Sequence, residues 1–336
     1  MSEFVTIITP ALNEEPHIGR LIDSVVASPF PKDRLELFVV DGGSRDRTIA
    51  VVQEYQRKHP WIRLLHNPRK IIPTAMNLGL AAARGEVVLR MDAHSAYPPG
   101  YIDQCVDLLR TSDAQNVGGV IEATGTSYVG RAIAVAAMHP FGVGDAHYRI
   151  ATKQRYVDTV YPGAWRTATL RQLGGFAEEW EANEDYELNV RIREAAGRIL
   201  LNPAIRCRYF VRENLGALSR QYFRYGYWKV RTLKRHPWSW QSRQLAAPLL
   251  VLSLALSALL LAGSVTAAMT VPAIYLVALL VASVHAANRA GWRYLPMLPL
   301  AFAAMHLSWG TGFWASVAGL AFGRGRRAAG NRGVGD

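Results

Sequence analysis

Glu86-Val87-Val88-Leu89-Arg90-Met91-Asp92-Ala93-His94 decides how this chain is read. Its first six residues are apolar at the centre, the pattern of a short strand buried in a sheet. The strand ends in an acid, and open α/β sheets place their ligands at the carboxyl ends of their strands. A carboxylate and an imidazole separated by one alanine are suitable donors for a divalent ion that holds a diphosphate. The stretch therefore points to a nucleotide-activated substrate. The rest of the chain must then supply a nucleotide pocket, a base and an acceptor site.

Upstream, Phe4–Thr9, Leu35–Val40 and Ile62–His66 are further short apolar runs, and Val117–Glu122 follows downstream. Helical patterns at about 15–28, 46–59 and 72–84 separate the first four. Strands alternating with helices of this length predict a parallel sheet with right-handed crossovers. Three loops then share one sheet edge: Thr9–Glu15, Asp41–Asp46 and Asp92–Ser95. A nucleotide lying along the strand ends touches all three. Asp41 is suited to accept from a base or ribose, or to form an Asx turn, and Asp46 reads as a cap for the next helix. Arg69-Lys70 faces a diphosphate or stands as a solvated pair, just before the helix that holds Asn77.

The chain has 336 residues, a net charge of +12 and 50% hydrophobic residues, but that average conceals two materials. Residues up to about 240 are mixed and charged, whereas 244–322 are nearly uncharged. Leu245–Ala262, Val265–Ala287 and Leu295–Phe322 each approach or exceed the ~20 residues that span a bilayer. A basic block from Arg206 to Arg235, opposed only by Glu213, runs into Trp238, Trp240 and the first of these runs. Basic residues beside aromatic ones at a membrane edge suggest anionic headgroups on the cytoplasmic face rather than nucleic acid. Met1–Thr9 reads as a strand leading into Pro10, without a basic leader or cleavage site, so the polar part is expected in the cytoplasm. Cys105 and Cys207, far apart and in no metal-ligand spacing, read as buried thiols of a reducing compartment.

Topology from charge is strained. Arg289 and Arg293, and Arg324, Arg326, Arg327 and Arg332, all fit the cytoplasmic side, but three full crossings place the last group outside. Leu295–Phe322 is interrupted by Pro296, Pro299, Gly310 and Gly312, and so is expected to be re-entrant or interfacial, or else to cross. The expected organisation is a domain over 1–235, a membrane region over 236–323 with about three helical segments, and a basic flexible tail over 324–336.

Pro10-x-x-Asn13-Glu14, the run from Val39-Val40-Asp41-Gly42-Gly43-Ser44 to Asp46-x-Thr48, and Asp92-x-His94 together resemble the inverting family-2 glycosyltransferases of GT-A fold. The resemblance covers about residues 4–235. Within the family it is greatest to the ExoA-type succinoglycan glucosyltransferases, which also carry a membrane tail. It implies a GT-A, Rossmann-like mixed α/β sheet, a nucleotide-sugar donor such as a UDP-hexose, a Mn²⁺ or Mg²⁺ ion and inversion at the anomeric carbon. Pro10, Leu12, Glu14, Asp41, Lys70, Asn77 and Asp92 are the expected donor-nucleotide residues, with Asp92 and His94 holding the metal. The family more often has a second aspartate where His94 stands, and a neutral imidazole suits Mn²⁺ better than Mg²⁺.

Asn183-Glu184-Asp185-Tyr186 opens a helical pattern. Acids in a first helical turn also simply complement the helix dipole. Glu184-Asp185 is similar to the acidic pair of the family, which makes both catalytic candidates and matches Asp185 to the base. Trp165 is a candidate acceptor platform, as an indole face suits a sugar ring, whereas Trp180 reads equally as core. Gln221-x-x-Arg224-Tyr225 is similar to the family's Gln-x-x-Arg-Trp box, with tyrosine in place of tryptophan. The resemblance lays it over the donor diphosphate and acceptor, where Arg224 supplies fixed positive charge. The same segment also reads as a basic amphipathic helix on the membrane surface. Val129–Met138 is helical in pattern, either interfacial or core.

The expectation is a multi-pass inner-membrane glycosyltransferase with its catalytic domain in the cytoplasm. It moves a hexose from a UDP-sugar to a polyprenyl-diphosphate-linked saccharide in exopolysaccharide or cell-envelope synthesis. The alternatives are transfer to polyprenyl phosphate itself and a processive polysaccharide synthase.

Overall fold

The computed structural model of the protein describes residues 3–322, so the basic tail and its arginines from Arg324 on lie outside the described residues. The chain divides into two compact units. The first comprises the residues up to Thr124 together with Ala146–Phe210, and the second comprises Gly125–Asp145 and the residues from Val211 on.

In the first unit, β1 (Val5–Ala11), α1 (Glu15–Val26), β2 (Leu35–Asp41), α2 (Thr48–Lys58), β3 (Ile62–His66), α3 (Ile72–Ala82) and β4 (Val87–Arg90) realise the expected alternation. β2 is buried along its whole length, as a strand covered on both faces must be. After β4 come β5 (Ser95–Ala96), α4 (Tyr101–Thr111) and β6 (Asn116–Thr124). The chain then leaves for α5 (Tyr128–Ala137) and α6 (Pro140–Val143) of the second unit. It returns with α7 (His147–Ile150), β7 (Arg155–Tyr156), β8 (Gly163–Arg166), α8 (Thr167–Gln172), α9 (Glu184–Glu194) and β9 (Ile199–Phe210).

The strands form one sheet in the order β3-β2-β1-β4-β8-β6-β9-β5, with β7 paired to β9. β1 to β4 are mutually parallel, as the alternation requires. β8 is inserted antiparallel between β4 and β6, and β9 runs parallel to β6. The sheet is therefore mixed. Its core gathers Ile8, Phe38, Val40, Met76, Val88, Trp165, Phe176 and Leu188. Asp92 lies two residues past the end of β4, and the loops after β1 and β2 emerge at the same end of the parallel strands.

The second unit adds α10 (Leu215–Arg235), α11 (Ala246–Leu259), α12 (Val265–Ala290) and α13 (Leu298–Ala321) to α5 and α6. Two helical stretches, Ser242–Ala262 and Val265–Ala290, are long and apolar enough to cross a membrane, and Leu256, Leu259, Ile274, Val277 and Val281 on them are exposed. The third apolar run is not interrupted by its prolines and glycines. It is one continuous helix, because Pro296 lies before it and Pro299 falls in its first turn, where no backbone N–H is needed. Its glycines are contact points rather than breaks. A Cβ on Gly312 would overlap the carbonyl of Phe223, and one on Gly310 the carbonyl of Ala247. Reciprocally, a Cβ on Gly226 of α10 would overlap the carbonyl of Trp309.

The expected domain boundary at 235 is also displaced. α10 groups with α13 because of these close backbone approaches, so the units meet in sequence near 210. Val129–Met138 likewise joins the helical unit, where Ala132, Ile133 and Ala136 of α5 are buried. Glu213 ties its first turn, accepting from Thr126 N (2.8 Å) and Ser127 N (2.9 Å).

Candidate active site

The loops at the carboxyl ends of β1 and β2 are stitched to one another. Asn13, with φ of 54°, donates its N–H to Ser44 Oγ (2.8 Å) and accepts from Arg45 N at Oδ1 (2.9 Å). Glu14 N donates to Thr48 Oγ1 (2.8 Å), and Glu15 N to Asp46 Oδ2 (3.0 Å). Asp46 also accepts from Thr48 N (3.0 Å), the first residue of α2. Asp41 accepts from Gly43 N (2.7 Å) and Ser44 N (3.0 Å), so its carboxylate shapes its own turn. A Cβ on Gly43 would stand 3.8 Å from Lys70 Nζ, which places that ammonium beside the Asp41 loop.

The third loop joins the first through His94, whose Nδ1 lies 3.2 Å from Glu14 Oε1 and whose ring meets Tyr209 edge-on at 5.4 Å. Below it, a buried network surrounds Asp92. Arg90, the last residue of β4, donates from Nε to Asp92 Oδ1 (2.8 Å), from Nη2 to Asp92 Oδ2 (3.4 Å) and from Nη1 to Glu184 Oε1 (2.8 Å). The Tyr161 hydroxyl donates to Asp92 Oδ2, and its ring lies 5.3 Å from the Arg90 guanidinium carbon. Asp92 N donates to the Tyr97 hydroxyl (2.9 Å). One guanidinium thus links the carboxylate after β4 to the acid that opens α9.

These surroundings separate the acids electrostatically. Burial acts to raise the Asp92 carboxyl, but the Arg90 guanidinium, His94 and the hydrogen bonds from Arg90 and Tyr161 outweigh it and hold Asp92 below its usual range. Burial pushes Glu184 up, with repulsion from Asp185 adding to it against the pull of Arg90. Burial likewise raises Asp185; Arg90 and the Tyr186 N–H oppose this while Asp92 adds to it. Asp185 is half-buried and accepts from Tyr186 N at 2.8 Å, whereas Glu184 is only 4% exposed.

A divalent ion would find at most two protein donors here, Asp92 and His94. Among the described residues no group of three His, Cys, Asp or Glu side chains is placed to hold one. Of about four lone-pair positions on a carboxylate, Arg90 and Tyr161 occupy three on Asp92, leaving one on Oδ1. With Nδ1 of His94 facing Glu14, Nε2 is the nitrogen left for a metal. Two such donors suit an ion whose other ligands are phosphate oxygens and water.

The sequence and the fold have known counterparts. The sequence profile described as "Glycosyl transferase family 2" matches residues 6–163. The succinoglycan biosynthesis protein ExoA of Rhizobium meliloti (strain 1021) is 30% identical over 310 residues, covering 92% of this chain and 93% of that protein. The chain belongs to glycosyltransferase family 2. A Methanococcus voltae protein named dolichyl N-acetyl-alpha-D-glucosaminyl phosphate 3-beta-D-2,3-diacetamido-2,3-dideoxy-beta-D-glucuronosyltransferase is 23% identical over 66% of this chain and 72% of that one. The mannosyltransferase PcManGT from Pyrobaculum calidifontis, in complex with GDP-Man and Mn²⁺, shares the fold with a TM-score of 0.61 at 22% identity, over 90% of this chain and 86% of that one. The transferase fold is thus GT-A, with two apolar C-terminal helices compatible with a membrane region.

Of the residues expected to form the transferase's site, the structure brings Glu14 to His94, Lys70 to the Asp41 loop, and Asp92 to Glu184 through Arg90. Others make different contacts. Asn77 accepts from Phe176 N (2.8 Å) and donates to Glu178 Oε1 (2.9 Å), so its amide anchors the 176–178 turn rather than a nucleotide. Arg69 forms an ion pair with the same Glu178. Trp165 is 1% exposed, packed edge-on against Phe176 at 5.7 Å, because β8 turns it into the core; it offers no sugar platform. Trp180 is buried as well. Gln221, Arg224 and Tyr225 stand on α10 in the helical unit, where the Gln221 amide donates to the Tyr225 hydroxyl (3.0 Å). Sequence reasoning missed Arg90, Tyr97 and Tyr161. The available signal was Arg90 itself, a charge inside an otherwise apolar buried strand, which such strands carry only when it is paired.

Proposed function

We propose that this family-2 enzyme is membrane-anchored and transfers a hexose, with inversion, from a UDP-sugar to a saccharide carried on a polyprenyl diphosphate. The observation that carries the reading is the buried Arg90 link between Asp92, at the donor end of the sheet, and the Glu184-Asp185 pair that opens α9. In this reading the loops holding Pro10, Leu12, Glu14, Asp41 and Lys70 cradle the nucleotide. Asp92 and His94 would hold Mn²⁺ or Mg²⁺, which would supply positive charge against the departing diphosphate.

The acceptor hydroxyl oxygen attacks the anomeric carbon, and the bond from that carbon to the diphosphate oxygen breaks. Its electron pair leaves on the nucleoside diphosphate, and the hydroxyl proton passes to Asp185. A half-buried carboxylate whose proton affinity is raised by burial is matched to that task near neutral pH. The Arg224 box is assigned to the acceptor and the departing diphosphate.

Membrane anchoring is supported by the two long apolar helices and by Trp238 and Trp240, which are exposed beside Lys234 and Arg235 at the entry to the first. The uncharged connection at Gly263-Ser264 suits the outer face, and Arg289 and Arg293 suit the cytoplasmic face. A lipid-linked acceptor agrees with the name of the Methanococcus relative, which refers to a dolichyl-linked substrate, and a role in polysaccharide synthesis with that of the Rhizobium relative. The test is transfer by the purified enzyme in lipid nanodiscs, using labelled UDP-hexoses, Mn²⁺ and a polyprenyl-diphosphate-linked saccharide. A labelled lipid-linked product longer by one sugar supports the reading. Product only from bare polyprenyl phosphate, or a long polymer, replaces it.

A further inference from the structure

Two adjacent acids open α9, yet the structure treats them differently. Glu184 points into the protein and accepts from Arg90 Nη1 at 2.8 Å, with both side chains about 95% buried. Asp185 is half-buried and accepts from the N–H of its neighbour Tyr186. Arg90 cannot move freely, because its Nε and Nη2 are held by Asp92, its guanidinium lies against Tyr161, and its backbone stands at the end of a central strand between β1 and β8. A planar guanidinium suits such a bridge, since it presents several donors in a fixed fork. Successive helical residues are about 100° apart around the axis, so fixing Glu184 also fixes the direction of Asp185.

We infer that Arg90 and Glu184 are a positioning pair that pins the first turn of α9 to the end of β4 and so holds Asp185 at a set place relative to the Asp92 donor site. Glu184 does no proton transfer in this arrangement. The inference rests on the reading of Asp185 as base, but it is tested by a different contrast.

Glu184→Gln keeps an oxygen for Arg90 Nη1 and loses only the charge; Glu184→Ala loses the anchor. Kinetics are measured on the full-length enzyme in nanodiscs, with thermal unfolding and calorimetric binding of UDP with Mn²⁺ alongside. Glu184→Ala is expected to lower kcat about 30- to 100-fold while donor KM and UDP affinity stay within threefold of wild type. Glu184→Gln is expected to restore kcat to within fivefold of wild type. Arg90→Lys, which keeps the charge but not the fork, is expected to lower kcat, and adding Glu184→Ala to it should cost little more because the two act as a unit. A Glu184→Gln enzyme as inactive as Asp185→Asn would overturn the inference, since Glu184 would then be the base. Equal, near-wild-type activity of the Ala and Gln variants would overturn it too. Should Glu184→Ala fail to fold, the isosteric Gln variant alone still decides whether Glu184 is needed as an acid. Failure of the base assignment shows separately, as persistent transfer by Asp185→Asn.

Discussion

The α10–α13 contact yields a sharp quantitative expectation. Gly226 of α10 has no room for a side chain: an added Cβ would overlap the Trp309 carbonyl and press on Phe313 N. Both are backbone atoms of a helix, so no flexible side chain can yield. Overpacking of a well-packed contact costs ~1–3 kcal/mol, and a backbone clash belongs at the upper end. Glycine to alanine inside a helix returns ~1 kcal/mol of propensity. Gly226→Ala is therefore expected to lose about 2 kcal/mol. Gly319→Ala on α13 is the internal control, because its nearest neighbour is the Tyr227 hydroxyl at 4.0 Å. That variant should keep the propensity gain of ~1 kcal/mol. At about 2–4 °C per kcal/mol, the scale for soluble units of 150–250 residues, the two variants should melt roughly 6–12 °C apart. Thermal unfolding of the detergent-solubilised enzyme, followed by circular dichroism, measures this. Because α10 also carries Gln221 and Arg224, Gly226→Ala should lower transfer as well. If Gly226→Ala melts at or above Gly319→Ala, the close approach of the two helices is wrong.

Three further outcomes are expected. Mn²⁺ should support transfer at least as well as Mg²⁺, and His94→Ala should raise the metal concentration needed for half-maximal rate; turnover in EDTA at an undiminished rate contradicts both. Burial raises the Asp185 carboxyl, and a base works only when deprotonated, so kcat/KM should fall as the pH drops through a value above the ordinary aspartate range; an acid limb at or below about pH 4 contradicts the raised carboxyl. Trp165→Phe should act through the core, costing on the order of 1–3 kcal/mol of stability with acceptor KM unchanged, and a raised acceptor KM at unchanged stability would return Trp165 to the acceptor site.

The half of the sheet built by β1 to β4 was legible because each strand is a local apolar run closed by a loop, and parallel pairing follows from the helices between. The insertion of β8 was not, since Gly163-Ala164-Trp165-Arg166 is too short to stand out and its neighbours come from distant parts of the chain. The same distance hid the network around Asp92. Arg90 is conspicuous inside β4, but beyond its neighbour Asp92 nothing local tells that its second partner is Glu184. Trp165 and Asn77 were misplaced for a related reason. Indole and amide groups suit either a ligand or the interior, and only the strand register and the 176–178 turn choose between them. In α13, proline and glycine were read as breaks, although their effect depends on where the helix starts and on what stands opposite. His94 and Glu14 meet because both follow adjacent parallel strands.

The central claim is that Asp185, held beside the donor site through α9, takes the acceptor proton. Single-turnover transfer of labelled hexose by Asp185→Asn, in nanodiscs with Mn²⁺ and saturating acceptor, addresses it most directly. The rate is expected to fall at least ~10³-fold, at the level expected for loss of general-base catalysis, with UDP affinity and melting temperature close to wild type. Transfer by Asp185→Asn within tenfold of the wild-type rate would contradict it.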